Sequence, residues 1–334
     1  DMSGTIKIAI PMAGYGSRMR PQTWSRPKPL LALAGKTALD YCLAQFDSLP
    51  PHLDREYVFI VGSQGDQIQA HMSACHPEKK VHYVVQSVMK GQSDALYLAR
   101  EFLTGPMLMA FSDTLIETDL SSLADEPMDG IAWVKPVPDP RRFGVAEVGA
   151  EGLVTRMIEK PTSLDNNRVL VGFYYFRSGE ALMRAIAAQF QRGLALKGEY
   201  FLADAINVWL EGGRRMRVQA VETWLDAGIP DTVLETNRYY LEHGAANNRQ
   251  YPDALIVPPV FIHPLASVAS SVIGPYVSIG AGCHIQDAVI RNSVLDENCQ
   301  VQNAVVQDSL LGRRVRLEGK AIRTHLGDDA WQIQ

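Results

Sequence analysis

Over the first two-thirds of the chain, short apolar runs alternate with longer amphipathic stretches. Ile6–Pro11, Tyr57–Val61, Val81–Val85 and Met107–Phe111 have the length and the near-continuous apolar character of buried strands. Between them, Ala38–Phe46, Gln64–Ala74 and Ser93–Phe102 carry helical spacing. Strands alternating with helices predict a parallel sheet covered on both faces, with ligands bound beyond the carboxyl ends of the strands. The middle is richer in strands, at Ile131–Val134, Val145–Val148, Val154–Glu159 and Val169–Phe176, followed by helices at Glu180–Phe190 and Phe201–Leu210. A helix over Pro230–His243 closes this half, and Gly244–Asn248 reads as a polar linker.

After Tyr251 the period changes. Ile273, Ile279 and Ile285 recur every six positions, with Gly274 and Gly280 directly after the first two. Leu295 and Val301, then Leu311 and Leu317, resume the spacing after short insertions. A period of six suits neither a helix nor a hairpin. It is the signature of a hexapeptide β-helix, each repeat forming one face of a triangular coil. The competing reading is a small antiparallel sandwich whose spacing is accidental.

A chain of 334 residues with 46% hydrophobic positions has room for two domains of ordinary globular type. Its formal net charge of −5 argues against nucleic acid or an anionic membrane as partner. No apolar span is long enough to cross a bilayer, and the first residues lack a signal peptide's basic start and apolar centre, so a cytoplasmic protein is expected. Cys42, Cys75, Cys283 and Cys299 have no metal-ligand spacing and read as reduced thiols.

The candidate chemistry begins directly after the first strand, in Met12–Lys28. Gly14 and Gly16 let the backbone turn sharply and bring amide N–H groups to an anion. Arg18, Arg20, Arg26 and Lys28 follow within one short segment, and Pro27 and Pro29 restrict the backbone around Lys28. A dinucleotide-binding turn would need a third glycine where Arg18-Met19 stands, and an acid after the second strand, where Gly62-Ser63 stands.

Gly14-Tyr15-Gly16-Ser17-Arg18 and Pro27-Lys28-Pro29-Leu30 together resemble the sugar-1-phosphate nucleotidyltransferases, most nearly the longer glucose-1-phosphate thymidylyltransferases with an added C-terminal β-helix. The resemblance implies a Rossmann-like α/β domain with a mixed central sheet over 1–245, and a left-handed parallel β-helix of hexapeptide repeats over 252–334. It implies attack of a sugar 1-phosphate oxygen on the α-phosphorus of a nucleoside triphosphate, with release of pyrophosphate. By the same resemblance Arg18 and Lys28 are catalytic, and Ala13, Gly14, Gly16 and Ser17 cradle the nucleotide. Arg20 and Arg26 read as solvated surface charges.

The remaining roles also follow from the resemblance. Asp113, at the end of Met107–Ser112, and Asp226, in Trp224-Leu225-Asp226-Ala227-Gly228, are implied to hold Mg²⁺, a hard cation that takes carboxylate oxygen. Gln86 and Gly91 match the base-reading segment, and a Gln amide offers a donor beside an acceptor, which suits thymine or uracil. Gly144, Glu159, Lys160, Gly172 and Lys197 map to the sugar-phosphate side. The chain departs from the family pattern at Met12, at Ser112-Asp113-Thr114, where Gly-Asp-Asn is usual, and at Lys197, where an Arg is usual. dTTP or UTP with glucose 1-phosphate is the expected pair. A regulatory paralogue without turnover and a mannose-1-phosphate guanylyltransferase are the alternatives. An acyltransferase role for the β-helix would rest on His263 and His284, which lack a partner motif, so that domain reads as serving capping or homo-oligomer assembly.

Overall fold

The computed structural model describes residues 4–331. The chain forms two compact units, one of residues up to Leu31 with Lys36–Thr232, the other of Ala32–Gly35 with Val233 onward.

The first unit is built on a mixed sheet. Its strand order is Val154–Glu159, Gly144–Val148, Arg168–Phe176, Met107–Ala110, Thr5–Met12, Asp54–Val61 and Lys80–Val85. The last four run parallel to one another, and Arg168–Phe176 joins them antiparallel. Gly130–Pro136 pairs with Arg168–Phe176, and Met216–Ala220 with Gly130–Pro136. The parallel centre is apolar on both faces: Ile8, Ala9 and Ile10 are fully buried, as are Val58, Phe59, Met107 and Leu108. That is what helices on both sides of a parallel sheet require. Thr37 and Asp40 form a capping box that starts the Ala38–Ala44 helix. Ser178 caps Gly179–Gln191, whose apolar face joins the main core.

A two-stranded antiparallel element, Thr114–Ile116 against Trp224–Asp226, lies beyond the sheet. Periodicity could not announce it, because three-residue strands carry no period.

The second unit is a parallel β-helix of three four-stranded sheets. Ile273, Ile279 and Ile285 are buried inner residues of three successive faces. What read as an insertion between Ile285 and Leu295 is two short faces, with Ile290 buried between them. Leu255 pairs with Val272 and Val289 with Val305, so a coil advances 17 residues, then 16. Cys283 and Cys299 lie buried in this core as free thiols.

Gly244–Asn248 is tied down rather than loose. Asn247 and Asn248 backbone N–H groups donate to Val260 O, and the Asn247 side chain bridges Ile262 N and O. The Ala32–Gly35 segment is folded onto this unit as well. Ala34 N donates to Asn237 Oδ1 at 3.0 Å, and the fully buried Asn237 also accepts from Ser278 Oγ at 2.6 Å. A Cβ on Gly35 would lie 2.7 Å from the Phe261 ring. His284 Nδ1 lies 2.5 Å from Ser267 Oγ, and His263 Nδ1 accepts from Leu265 N, so each imidazole has a local partner.

Candidate active site

The site lies within the first unit, where Thr5–Met12 and Met107–Ala110 end and their loops begin. A cleft of about 390 Å³ opens there. Ala13, Gly14, Gly16 and Ser17 form one wall, Lys28 and Asp113 stand beside them, and Gln86 and Gly91 form the opposite side.

The glycine loop is held by its own chain. Gly16 has φ +61°, and Thr23 Oγ1 donates to Gly16 O at 2.7 Å. A Cβ on Gly16 would come within 3.0 Å of Thr23 Cγ2 and 3.4 Å of Lys28 Cβ. The loop therefore folds back onto the Lys28 segment, which brings the two halves of the sequence motif together. Ser17–Met19 makes one 3-10 turn, leaving Arg18 exposed on it.

Lys28 Nζ pairs with Asp113 Oδ2. Asp226 is brought to the same place by pairing with Thr114, while Ala227 N donates to Asp113 O at 2.9 Å. Gly228 N and Thr232 Oγ1 each donate to Asp226 at 3.0 Å, which fixes its carboxylate. The Arg18 guanidinium reaches this turn, 3.4 Å from where a Gly228 Cβ would stand. Burial, and then the like charge of Asp113, push the Asp226 carboxyl above the usual carboxylate range. Two neighbouring carboxylates, one partly desolvated, form an all-oxygen donor set whose repulsion a cation would relieve. These residues fit a hard divalent ion such as Mg²⁺.

On the other wall, Gln86 is buried, and its Nε2 donates to Asp94 Oδ2 at 2.9 Å and Gly91 O at 3.3 Å. Both amide hydrogens are directed inward, so the carbonyl is what Gln86 can offer a ligand. Asp94 is the residue that sequence reasoning missed. An acid in the first helical turn reads as a response to the helix dipole, and nothing in its spacing points at Gln86. Gly91 has φ +97°, and a Cβ there would lie 2.5 Å from Tyr200 O.

Gly144, Glu159, Lys160, Gly172, Lys197, Arg18 and Asp226 are not among the residues lining the cleft. Gly144 pairs with Glu159 across adjacent strands, and its missing Cβ leaves room for Glu159 Oε2. Burial pushes the half-buried Glu159 carboxyl up, Lys160 opposes this and Asp204 adds to it. Gly172 backs the cleft wall: its φ is +79°, and a Cβ would lie 2.3 Å from the Phe111 ring. Lys197 stands exposed at φ +51° in the turn between the bridged Leu196 and Glu199, and it is Glu199 that lines the cleft.

Residues 9–243 match the nucleotidyl transferase family. The chain belongs to that family. Residues 256–329 of this nucleotidyltransferase match the GMPPB C-terminal domain. It is 30% identical over 320 residues to the low-salt glycan biosynthesis nucleotidyltransferase Agl11 of Haloferax volcanii, covering 87% of each chain. It is 26% identical to a glucose-1-phosphate thymidylyltransferase of Streptomyces griseus, again over 87% of each. Identity to the bifunctional protein GlmU of a Methanococcus maripaludis strain is 27%, over 69% of this chain. The nucleotidyltransferase spans about half (53%) of that GlmU's length. A Bacillus anthracis crystal structure assigned as a glucose-1-phosphate thymidylyltransferase superposes with a TM-score of 0.58 at 21% identity. It covers 70% of this chain and 94% of that one, a likeness of fold.

Proposed function

We propose that this nucleotidyltransferase moves a nucleotidyl group from dTTP or UTP to a sugar 1-phosphate, with glucose 1-phosphate favoured, and releases pyrophosphate. The observation that carries the reading is the convergence of the Gly14–Arg18 loop, Lys28, Asp113 and Asp226 at one set of strand ends. Two polyanions must meet there, so the work of the protein is alignment and neutralisation of charge.

In this reading the sugar phosphate oxygen forms a bond to the α-phosphorus as the bond to the pyrophosphate oxygen breaks. Backbone N–H groups of Ala13, Gly14, Gly16 and Ser17 receive the triphosphate. Arg18 forks across its oxygens, and Lys28 serves as a movable point charge. Its pairing with Asp113 keeps that charge at the strand end until phosphate competes for it. Gln86, oriented by Asp94, accepts the N3–H of a pyrimidine base through its carbonyl. Gly91 removes the bulk that would hold the base off.

Gly144, Glu159, Lys160, Gly172 and Lys197 make the sugar side. Glu159 accepts from sugar hydroxyls, Lys160 and Lys197 hold the sugar phosphate, and Gly144 and Gly172 leave the space. Asp113 and Asp226 would hold Mg²⁺, which when bound neutralises phosphate charge and polarises the α-phosphate.

No described helix is long and apolar enough to cross a membrane. A cytoplasmic location is part of the proposal, as is homo-oligomer formation through the β-helix. Leu255, Val272, Val289 and Val305 stand in register along the outer face of one sheet, and Leu255 and Val305 are 62% and 78% exposed. An aligned apolar row on a flat β-surface favours pairing with a second copy. Light scattering on Val305→Glu should then report a smaller particle than the parent.

The deciding experiment measures pyrophosphate release over five nucleoside triphosphates against a set of sugar 1-phosphates. A pyrimidine nucleotide should give the highest rate. Absence of pyrophosphate with every pair, from folded protein in Mg²⁺, would overturn the reading.

A further inference from the structure

On the first unit, three residues outside the proposed active site bring ligand atoms together. Asp40 lies in the first turn of the Ala38–Ala44 helix, His71 in the helix Gly65–Cys75, and His76 at that helix's C-terminal cap. The Nε2 atoms of His71 and His76 each lie 2.7 Å from the same oxygen, Asp40 Oδ1. One ligand atom from each of the three lies within 4.8 Å of the others.

The carboxylate is fixed before either imidazole is considered. Its second oxygen, Oδ2, accepts Thr37 N at 2.9 Å and Thr37 Oγ1 at 2.8 Å in the capping box. This leaves Oδ1 to face the two rings. Burial alone would raise the Asp40 carboxyl, but hydrogen bonds from His71, His76 and Thr37 outweigh it and hold the group ionised, well below the usual carboxylate range. His71 is oriented from behind, with its Nδ1 3.8 Å from Cys75 Sγ. A ligand carboxylate hydrogen-bonded on its far oxygen, and a ligand imidazole held through its other nitrogen, are the outer contacts that metal sites use. The side chains of Asp40, His71 and His76 are 14%, 14% and 21% exposed, shielded but not sealed from solvent.

We propose that Asp40, His71 and His76 form a second metal site, separate from the Asp113–Asp226 carboxylates, which takes a borderline divalent cation, Zn²⁺ first among them. Two imidazoles and one carboxylate suit Zn²⁺, whereas Mg²⁺ and Ca²⁺ prefer all-oxygen sets. Bonds of about 2.0–2.2 Å in tetrahedral geometry set ligand atoms ~3.4 Å apart. Binding therefore opens the two 2.7 Å contacts by roughly 0.7 Å, a small rotation of surface-facing rings, and water supplies the fourth ligand. Each imidazole carries its remaining proton on Nδ1 in the bound form, where His71 donates to Cys75 Sγ. The ion ties the start of one helix to the end of another, so it stabilises the fold by mass action rather than serving the chemistry.

The test uses the full chain, freed of metal by chelator and dialysed against Zn²⁺ in excess Mg²⁺. One zinc per chain should be retained, with a rise in Tm. Cys75→Ser keeps an atom that can accept from His71 Nδ1 and should still retain one zinc, which excludes binding through the exposed thiol. His71→Gln and His76→Gln should each weaken binding by at least ~10–100-fold, the loss that even outer-shell changes produce. Circular dichroism checks that the variants fold. Should they unfold, NMR of the parent replaces them, and the His71 and His76 ring signals must shift on Zn²⁺ addition. Zinc that is not retained by the parent, is retained equally by both His variants, or leaves both rings unperturbed refutes the site.

Discussion

Gly91→Ala tests how the Gln86 side of the cleft is built. Gly91 holds φ +97° and ψ −179°, a region essentially restricted to glycine, which costs another residue about 1–3 kcal/mol. A Cβ there would also lie 2.5 Å from Tyr200 O and 2.7 Å from Tyr200 N, both backbone atoms. That backbone cannot move freely, because Tyr200 N donates to Lys90 O and Tyr200 O accepts from Ser93 N. Forcing the contact open adds an overpacking cost of about 1–3 kcal/mol. The sum, roughly 2–6 kcal/mol, is a large fraction of a typical domain's stability. Gly105→Ala is the control, since Gly105 has φ +71° but nothing within 4 Å of its Cβ position, so only the conformational cost applies. Urea denaturation should show the larger loss of stability for Gly91→Ala. Nucleotide affinity, measured by calorimetry, should fall for Gly91→Ala alone, because Gly91 O accepts from Gln86 Nε2. Equal stability of the two variants, with unchanged nucleotide affinity in Gly91→Ala, would falsify the close-approach account.

Arg18→Ala should lower turnover by ~10²–10³ with the fold intact, the loss typical of one donor to transition-state charge, and near-normal turnover would remove Arg18 from the mechanism. Asp94→Ala frees the buried Gln86 amide and should weaken pyrimidine nucleotide binding by ~10–100-fold, as expected for loss of a hydrogen bond to a charged acceptor; unchanged affinity would mean the base is held elsewhere. Asp226 has a raised folded pKa, so its contribution to stability is greatest at low pH and is lost as pH rises from the ordinary carboxylate range through the raised value. Without divalent ions, Asp226→Asn should therefore be more stable than the parent at about pH 8 and gain less at about pH 4, and urea melts showing no such difference would contradict the burial and charge argument. Asn237→Ala leaves the Ala34 N–H without its 3.0 Å acceptor and should cost about 1–3 kcal/mol in a thermal melt, whereas an unshifted Tm would show that the contact carries no stability.

Periodicity alone determined much of this protein. The parallel strands, the helices between them and the β-helix were all legible, because a buried parallel strand must be continuously apolar and an inner β-helix position must recur once per face. The Gly14–Arg18 loop was legible as a tight turn because a backbone at positive φ restricts residue type locally, and Gly16 stands at φ +61° against Thr23 and Lys28. Tertiary structure decided the rest. Asp113 and Asp226 lie far apart in sequence and meet through two three-residue strands too short to show a period. The five-residue faces at Ile290 were hidden because a corner can drop a residue while the inner side chain keeps its place. Asp94, in the first turn of its helix, becomes the partner of Gln86 only because that helix is set against the strand end. Asp40 sits in the Thr37 capping box, and its Oδ1 meets His71 and His76 only because two helices pack end to start. Asp113 and Asp226 were paired beforehand by resemblance alone; elsewhere the residue type was visible but the partner was not, because long-range proximity depends on the packing of elements and leaves no local pattern in the chain.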